Sequence, residues 1–459
     1  MHPIRVRQLG LLSIIASLCG PLVAGDMTVT WPSFRGAGAC GVATGQNLPD
    51  RWDIETGDGV RWKTPIPGLA NSAPVIWNDR IFVTTAVSDA ENPGLRIGRY
   101  GAGDAAEDDS RQSWRVLCLN AGDGRVLWER TASEGVPPVR RHTKSSHANS
   151  TPATDGRHVV ALFNSGGLYC FDIDGKLCWS RQLGVLDSGA FDVPELQWGF
   201  GSSPVIFRNQ VIVQCDIQEG SFIAAFALDS GKEVWRTQRD ELPSWGTPTV
   251  YEGASGPQVI ANGSRFVRGY EALSGRERWR LGGNSFITVP TPIIAEGLIL
   301  VTSGYRPVQP IYAIHPEATG DITLIDGAAT NQHIAWSKSR DGTYIPTPIV
   351  VGRLLYTLSG NGVLSCYDVR TGERHYRRRV GRGESYSASP VASDGKLFLA
   401  AESGLVSVVR TAARFELLAE NELGEYCLAT PAIANRLLLF RTASSIVAIG
   451  NTAPVGRLP

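Results

Sequence analysis

Eight times along this chain a step containing Ser, Thr or Ala runs into a proline and then into a short β-rich segment. The prolines are Pro74, Pro152, Pro204, Pro248, Pro292, Pro348, Pro390 and Pro431, and four of the intervals between neighbours are 44, 44, 42 and 41 residues. The segments that follow, among them 81–85, 159–163, 211–214, 298–302, 354–358, 397–401 and 437–440, are rich in β-branched and apolar residues and bounded by turn formers. Proline suits the first position of such a strand, where its missing N–H breaks no ladder. A repeat of about forty residues with several short strands in each predicts a β-propeller. The 51 glycines and 27 prolines supply the turns that such a fold requires.

Each repeat ends in a second signature: a small residue, a polar turn, a glycine and, four residues after it, an aromatic. The pairs are Gly124/Trp128, Gly175/Trp179, Gly231/Trp235, Gly275/Trp279 and Gly372/Tyr376, and the small positions are Cys118, Cys170, Ala225, Gly269, Ala313 and Cys366. The glycine fits a hairpin position with positive φ, and the ring packs between neighbouring blades, where bulk at the small position would clash. The pattern resembles the A-x-D-x-x-T-G-x-x-x-W repeat of the pyrroloquinoline-quinone (PQQ)-like propeller family, which includes quinoprotein dehydrogenases and BamB-like secreted or periplasmic bacterial proteins. Residues 366–372 through Tyr376 are one of the closer copies, and the resemblance covers residues 59–450. The fifth repeat is stretched, with His315 at the usual Asp position and Trp336 closing it; the seventh lacks both glycine and Trp.

The resemblance implies an all-β, eight-bladed β-propeller with four-stranded antiparallel blades. The eighth repeat stops at Ile449-Gly450, after three strands, and residues 60–64, with Trp62, read as its missing outer strand. An N-terminal strand would therefore complete the last blade and close the ring, hiding both edges. The expected organisation is a signal peptide (1–25), an N-terminal extension packing along the outside of the ring (26–58), the propeller (59–450) and a C-terminal tail (451–459). Within the extension, Trp31-Pro32-Ser33-Phe34-Arg35-Gly36 resembles a leader of secreted bacterial propellers. Gly36, Gly38 and Gly41 spell G-x-G-x-x-G, but a dinucleotide fingerprint needs a strand before it and a helix after it, and neither is present in the pattern. Blade one carries an insertion at 88–113, read either as a solvated loop or as a lid for a partner.

Arg5 and Arg7, an apolar run over 9–23 and the small Ala24-Gly25 predict a secretory signal cleaved near residues 24–26, and so a periplasmic or secreted protein. Leu18 before Cys19 makes a poor lipobox, and no transmembrane segment is expected in the mature chain. Lys+Arg equals Asp+Glu at 44 each, so no global field steers the protein to nucleic acid. Cys170 and Cys178 face each other across one hairpin as a candidate disulfide, and Arg374–Arg379 is a basic outer strand, solvated or in contact with an anion.

Function should sit where the loops entering the innermost strands converge. These loops carry Asn71, His147 with Asn149, Trp198, Trp245, Phe286, Tyr344, Tyr386, and Glu425 with Tyr426. Either the rings plug the channel, or they line an aromatic pocket with a few polar groups. The segment 140–152 adds Lys144 among three cations and two histidines. The candidate ligand- or partner-binding residues are thus Lys144, His147, Asn149, Trp198, Trp245, Tyr344, Tyr386 and Tyr426. In the quinoprotein dehydrogenases the resemblance implies adjacent cysteines, a stacked Trp and a calcium held by Glu, Asn and Asp. This chain has no adjacent cysteine pair and no calcium-type acidic cluster on the entering loops. No catalytic set, zinc spacing or cofactor is expected; Ser146, His147 and an Asp form a Ser-His-Asp site only on paper. The expected function is a monomeric, non-catalytic module that binds a protein or glycan partner of the cell envelope, or a small ligand. The alternatives are a PQQ- and calcium-dependent dehydrogenase and a carbohydrate-binding propeller.

Overall fold

The computed structural model describes residues 27, 29–90, 95–98 and 104–451; the expected signal peptide and all but Asn451 of the tail lie outside the described residues. Eight antiparallel blades form a ring. Blade two is typical: strands at Ala153–Thr154, His158–Leu162, Gly167–Asp172 and Leu177–Gln182 run from the axis outward. The eighth blade takes its inner three strands from Ala432–Ala434, Leu437–Arg441 and Ser445–Ile449, and its outer strand from Val60–Pro65, which pairs antiparallel with Ser445–Ile449. Blades one and seven gain a fifth strand at the axis, and blade four gains one at its rim. Apolar faces of neighbouring blades bury one another, as where Val213 and Phe222 of blade three meet Val160 and Leu168 of blade two.

Two ladders tie the blades together, and both explain the repeat. At the axis, the residue before each proline donates its N–H to the hydroxyl at the same position of the next blade. The belt runs Ala73→Thr151 (2.9 Å), Thr151→Ser203 (3.0 Å), Ser203→Thr247 (3.0 Å), Thr247→Thr291 (3.2 Å), Thr291→Thr347 (3.0 Å), Thr347→Ser389 (3.0 Å) and Ser389→Thr430 (3.0 Å). It opens only between blades eight and one, where Ala73 has no hydroxyl. At the rim, five of the six outer-strand Trp residues donate Nε1–H to a carbonyl of the next blade: Trp62 to Ala121, Trp128 to Ile173, Trp179 to Leu228, Trp235 to Ala272 and Trp336 to Val369, at 2.8–3.1 Å. Trp279 faces the stretched fifth repeat and instead donates to Gln258 of its own blade, whose amide reaches Pro316 O at 2.7 Å.

The first part of the extension does not pack along the outside of the ring; residues 30–43 plug the axis. Thr30–Trp31 adds antiparallel to the inner strand of blade one, and Val42–Ala43 adds parallel to that of blade seven. Between them the chain crosses the channel, and a helical turn at Ala37–Ala39 touches the inner strands of blades four and five. The cause is an unpaired row of inner-strand N–H and C=O groups that would otherwise face the channel. Fully buried Arg35 satisfies several of them, donating to Pro348 O (2.7 Å), Pro390 O (2.8 Å) and Thr347 O (3.4 Å). Gly41 must be glycine here, because with φ +75° a Cβ would stand 2.7 Å from the Arg35 guanidinium. The G-x-G-x-x-G spelling thus serves the plug. From there the segment runs outward, held by three N–H bonds from Gly45, Gln46 and Asn47 to Asp394 and by Trp52 against Phe440, until it becomes the last strand of blade eight.

Candidate functional site: an asymmetric funnel

On the face of the entering loops the channel opens into a funnel of about 860 Å³, and Phe34 of the plug contributes to its lining. Of the expected residues, Lys144, Asn149, Trp198, Trp245, Tyr344 and Tyr386 line it. Trp198 and Trp245 stand 5.9 Å apart at 38°, and Trp245 Nε1 donates to Gly199 O at 2.7 Å. Tyr344 pairs with exposed Tyr305 at 5.6 Å. Tyr386 is 1% exposed and acts as wall; burial pushes its phenol up to about 12. Asn149 accepts from Ser146 and donates to Ser145 Oγ and Phe200 O, so its amide shapes the loop.

Two of the expected residues are not in the funnel. His147 is buried, with Nε2 3.6 Å from Asp108 Oδ2 and its carbonyl accepting from Trp114 Nε1 at 3.0 Å. Its side chain has turned beneath the insertion, where Asp108 is also bound by Arg141 at 2.9 Å. Tyr426 is 46% exposed and lines a separate shallow hollow beside Leu95 and Ala443. Phe286 lies apart as well, against Phe191 at 4.9 Å. The paper triad does not assemble: the Ser146 hydroxyl donates to Asn149, and His147 faces Asp108. Cys170 and Cys178 are free thiols.

The structure adds residues that the entering loops did not reveal. Glu402 lies two residues past an apolar strand of blade seven and its side chain is 2% exposed. It accepts from Lys144 Nζ at 2.5 Å, from Ser387 Oγ at 2.5 Å and from the N–H of Gly98, in the insertion, at 2.8 Å. The described parts of the insertion follow the blade-two approach, with Arg96 N donating to Thr143 O and Ala106 N to Arg141 O. A carboxylate closing an apolar run, as in Leu397-Phe398-Leu399-Ala400-Ala401-Glu402, was the available signal. His142 also lines the funnel; burial, then the Lys144 charge, pull it down to about 4, so it is neutral near pH 7. Arg306, Arg340 and Asp341 come from the long loops of the stretched fifth repeat, and Arg377 comes from the outer strand of blade six.

A calcium-bound quinone does not fit this donor set. Only two carboxylates, Asp341 and Glu402, are among the described lining residues. Glu402 is neutralised by Lys144, and Asp341 lies 3.5 Å from Arg374. Calcium requires several free oxygen ligands at one point.

Ring, ladders and funnel define an eight-bladed propeller of the PQQ-repeat class. The chain belongs to the family whose model is described as "Outer membrane protein assembly factor BamB", which matches residues 32–213 and 218–449. It is 22% identical over 310 residues to the protein of that name from Bordetella pertussis, covering 64% of this chain and 68% of that one. The Escherichia coli K12 protein of the same name is 22% identical over 284 residues, 57% of this chain and 66% of its own length, so the chain spans about two thirds of these relatives. Among solved structures, BamB from Moraxella catarrhalis superposes with a TM-score of 0.53 at 12% identity, over 80% of this chain and 98% of that one. A europium-containing methanol dehydrogenase gives 0.60 at 11%, over 92% and 90%. Identities this low establish the shared fold alone. No helix among the described residues is long and apolar enough to cross a membrane.

Proposed function

We propose that this protein is a non-catalytic, monomeric binding module of the bacterial cell envelope that receives a partner protein at its funnel. The observation that carries this reading is the funnel itself: open on one face, closed below by the Phe34–Arg35 plug, and walled by half-buried Trp198, Trp245 and Tyr344. Aromatic anchors beside a few fixed polar groups are the usual composition of a recognition site. Kinship with assembly factors of the outer membrane favours a protein partner and a periplasmic location. The dehydrogenase alternative has fold likeness in its favour, but its cofactor would find no suitable ligands.

A photo-crosslinking residue at Tyr344, compared with one at Val234 on the exposed outer strand of blade three, tests the reading in native envelopes. A discrete protein adduct is expected at Tyr344 alone and should weaken with Trp245→Ala. Equal adducts at both positions would refute the reading. Quinone- and calcium-dependent dye reduction by the purified chain would replace it with the enzyme.

A further inference from the structure

The funnel is not round. It extends sideways between blades five and six, along Thr357, Ser365 and Arg377 of blade six and Arg340 and Asp341 of the preceding loop. The lower half of this interface is an ordinary core, with Leu355 and Tyr367 against Trp336. The upper half is polar. In blade four, the position equivalent to Ser365 is Arg268, opposite Trp279-Arg280 just as Ser365 is opposite Tyr376-Arg377. There the space between blades is filled by ions: Arg268 bonds Glu241 and Asp240, while Arg239 grips Asp216 at 2.6 Å. In blade six the equivalent space stays open.

Its charge is unbalanced. The described funnel lining carries four cations, Lys144, Arg306, Arg340 and Arg377, against Asp341 and Glu402. Lys144 and Glu402 neutralise each other, and Asp341 is engaged by Arg374. Arg306, Arg340 and Arg377 have no carboxylate partner among the described residues. The molecule also contains a precedent for the occupant. At blade four a two-residue strand, Gly320–Asp321, lies parallel to the outer strand and places Asp321 opposite Arg280, the counterpart of Arg377. Blade six offers the same Arg on an outer strand with no further strand paired to its edge among the described residues.

We propose that the cleft between blades five and six seats an acidic, extended peptide segment of the partner protein, its carboxylates meeting Arg306, Arg340 and Arg377. An extended backbone fits the serine and threonine hydroxyls along the cleft and the unpaired strand edge at its outer end. The inference rests on the binding reading above and names the chemistry of what binds.

The test uses the full mature chain and a fluorescein-labelled peptide of eight glutamates, with a Gly/Ser peptide of equal length as control, followed by anisotropy. The glutamate peptide should bind and the control should not, and binding should weaken steeply between low and high salt. The triple variant Arg306→Gln, Arg340→Gln, Arg377→Gln should lose roughly tenfold or more in affinity. Because all three side chains are exposed, its melting should be unchanged. Arg208→Gln with Arg353→Gln, in turns on the opposite face, should bind as the wild type does. Equal losses in the two variants, or no binding of the glutamate peptide, would overturn the proposal. So would displacement of the peptide by polygalacturonate at lower concentration, which would make the cleft a polysaccharide site. A Tyr344 adduct that persists in the triple variant would sink this inference while leaving the binding module standing.

Discussion

Single side chains in this molecule act chiefly by satisfying groups on a neighbouring blade. Arg239 and Asp216 are fully buried, paired at 2.6 and 3.0 Å, with Tyr270 OH on the same guanidinium at 2.7 Å. Arg239→Ala should therefore cost about 3–5 kcal/mol in urea unfolding, since it strands a buried carboxylate. Gly231 has φ +65°, and a Cβ there would lie 2.6 Å from the Trp179 ring of the preceding blade. Gly231→Ala should destabilise by about 1–3 kcal/mol in the same experiment, with Trp179 fluorescence reporting the displaced ring. The glycine and aromatic were legible from spacing because the constraint recurs in successive blades. The orientation of His147 was not, because a loop position does not tell which way a side chain turns. Here Asp108, 39 residues earlier in the insertion, decided it.

The element that closes the ring, Val60–Pro65, is held by an electrostatic clasp as well as by its backbone ladder. Lys63 Nζ lies 2.6 Å from Glu425, which also accepts from Thr442 Oγ at 2.8 Å and from Ser444 N at 3.0 Å. Burial opposes ionisation of this carboxyl, but Lys63, Thr442 and Ser444 outweigh it and hold it at about 2. A depressed carboxylate stabilises the fold above its unfolded value of about 4.3 and loses that contribution as pH falls through the folded value. The protection of the amides of residues 60–64 against exchange should thus fall between about pH 4 and pH 2, and Glu425→Gln should remove most of that dependence. The strand itself was readable because the eighth repeat lacked an outer strand and Trp62 stood unclaimed. The cleft was not, since it arises where blade five departs from the repeat and periodicity says nothing about departures.

At the scale of the whole molecule, the extension has two separable roles: the plug and the last strand. Deleting residues 29–45 while keeping 46–65 should leave the ring closed but remove Phe34 and Arg35. The inner edges of blades one and seven would then be bare. The expected outcome is a native-like β circular dichroism spectrum, a lower melting temperature and a greater tendency to self-associate through those edges. Deletion of 29–65 should instead abolish cooperative unfolding, because blade eight would lose its outer strand as well. Identical melting of the two truncations would show that the plug, not the strand, holds the ring together.

The same architecture has a kinetic consequence. Arg61 reaches the carbonyl of Asn451, 390 residues later, and Gln46 accepts from the Arg436 amide at a similar separation. The first stretch of the propeller to be synthesised is therefore among the last to find its partners. Contacts this remote in sequence are slow to form, and they leave strand edges exposed in the meantime. A nascent chain would wait, unsealed, for its own end. Only a full-length product can bring Val60–Pro65 together with Ser445–Ile449, so a prematurely terminated chain would remain an open ring and a substrate for proteolysis.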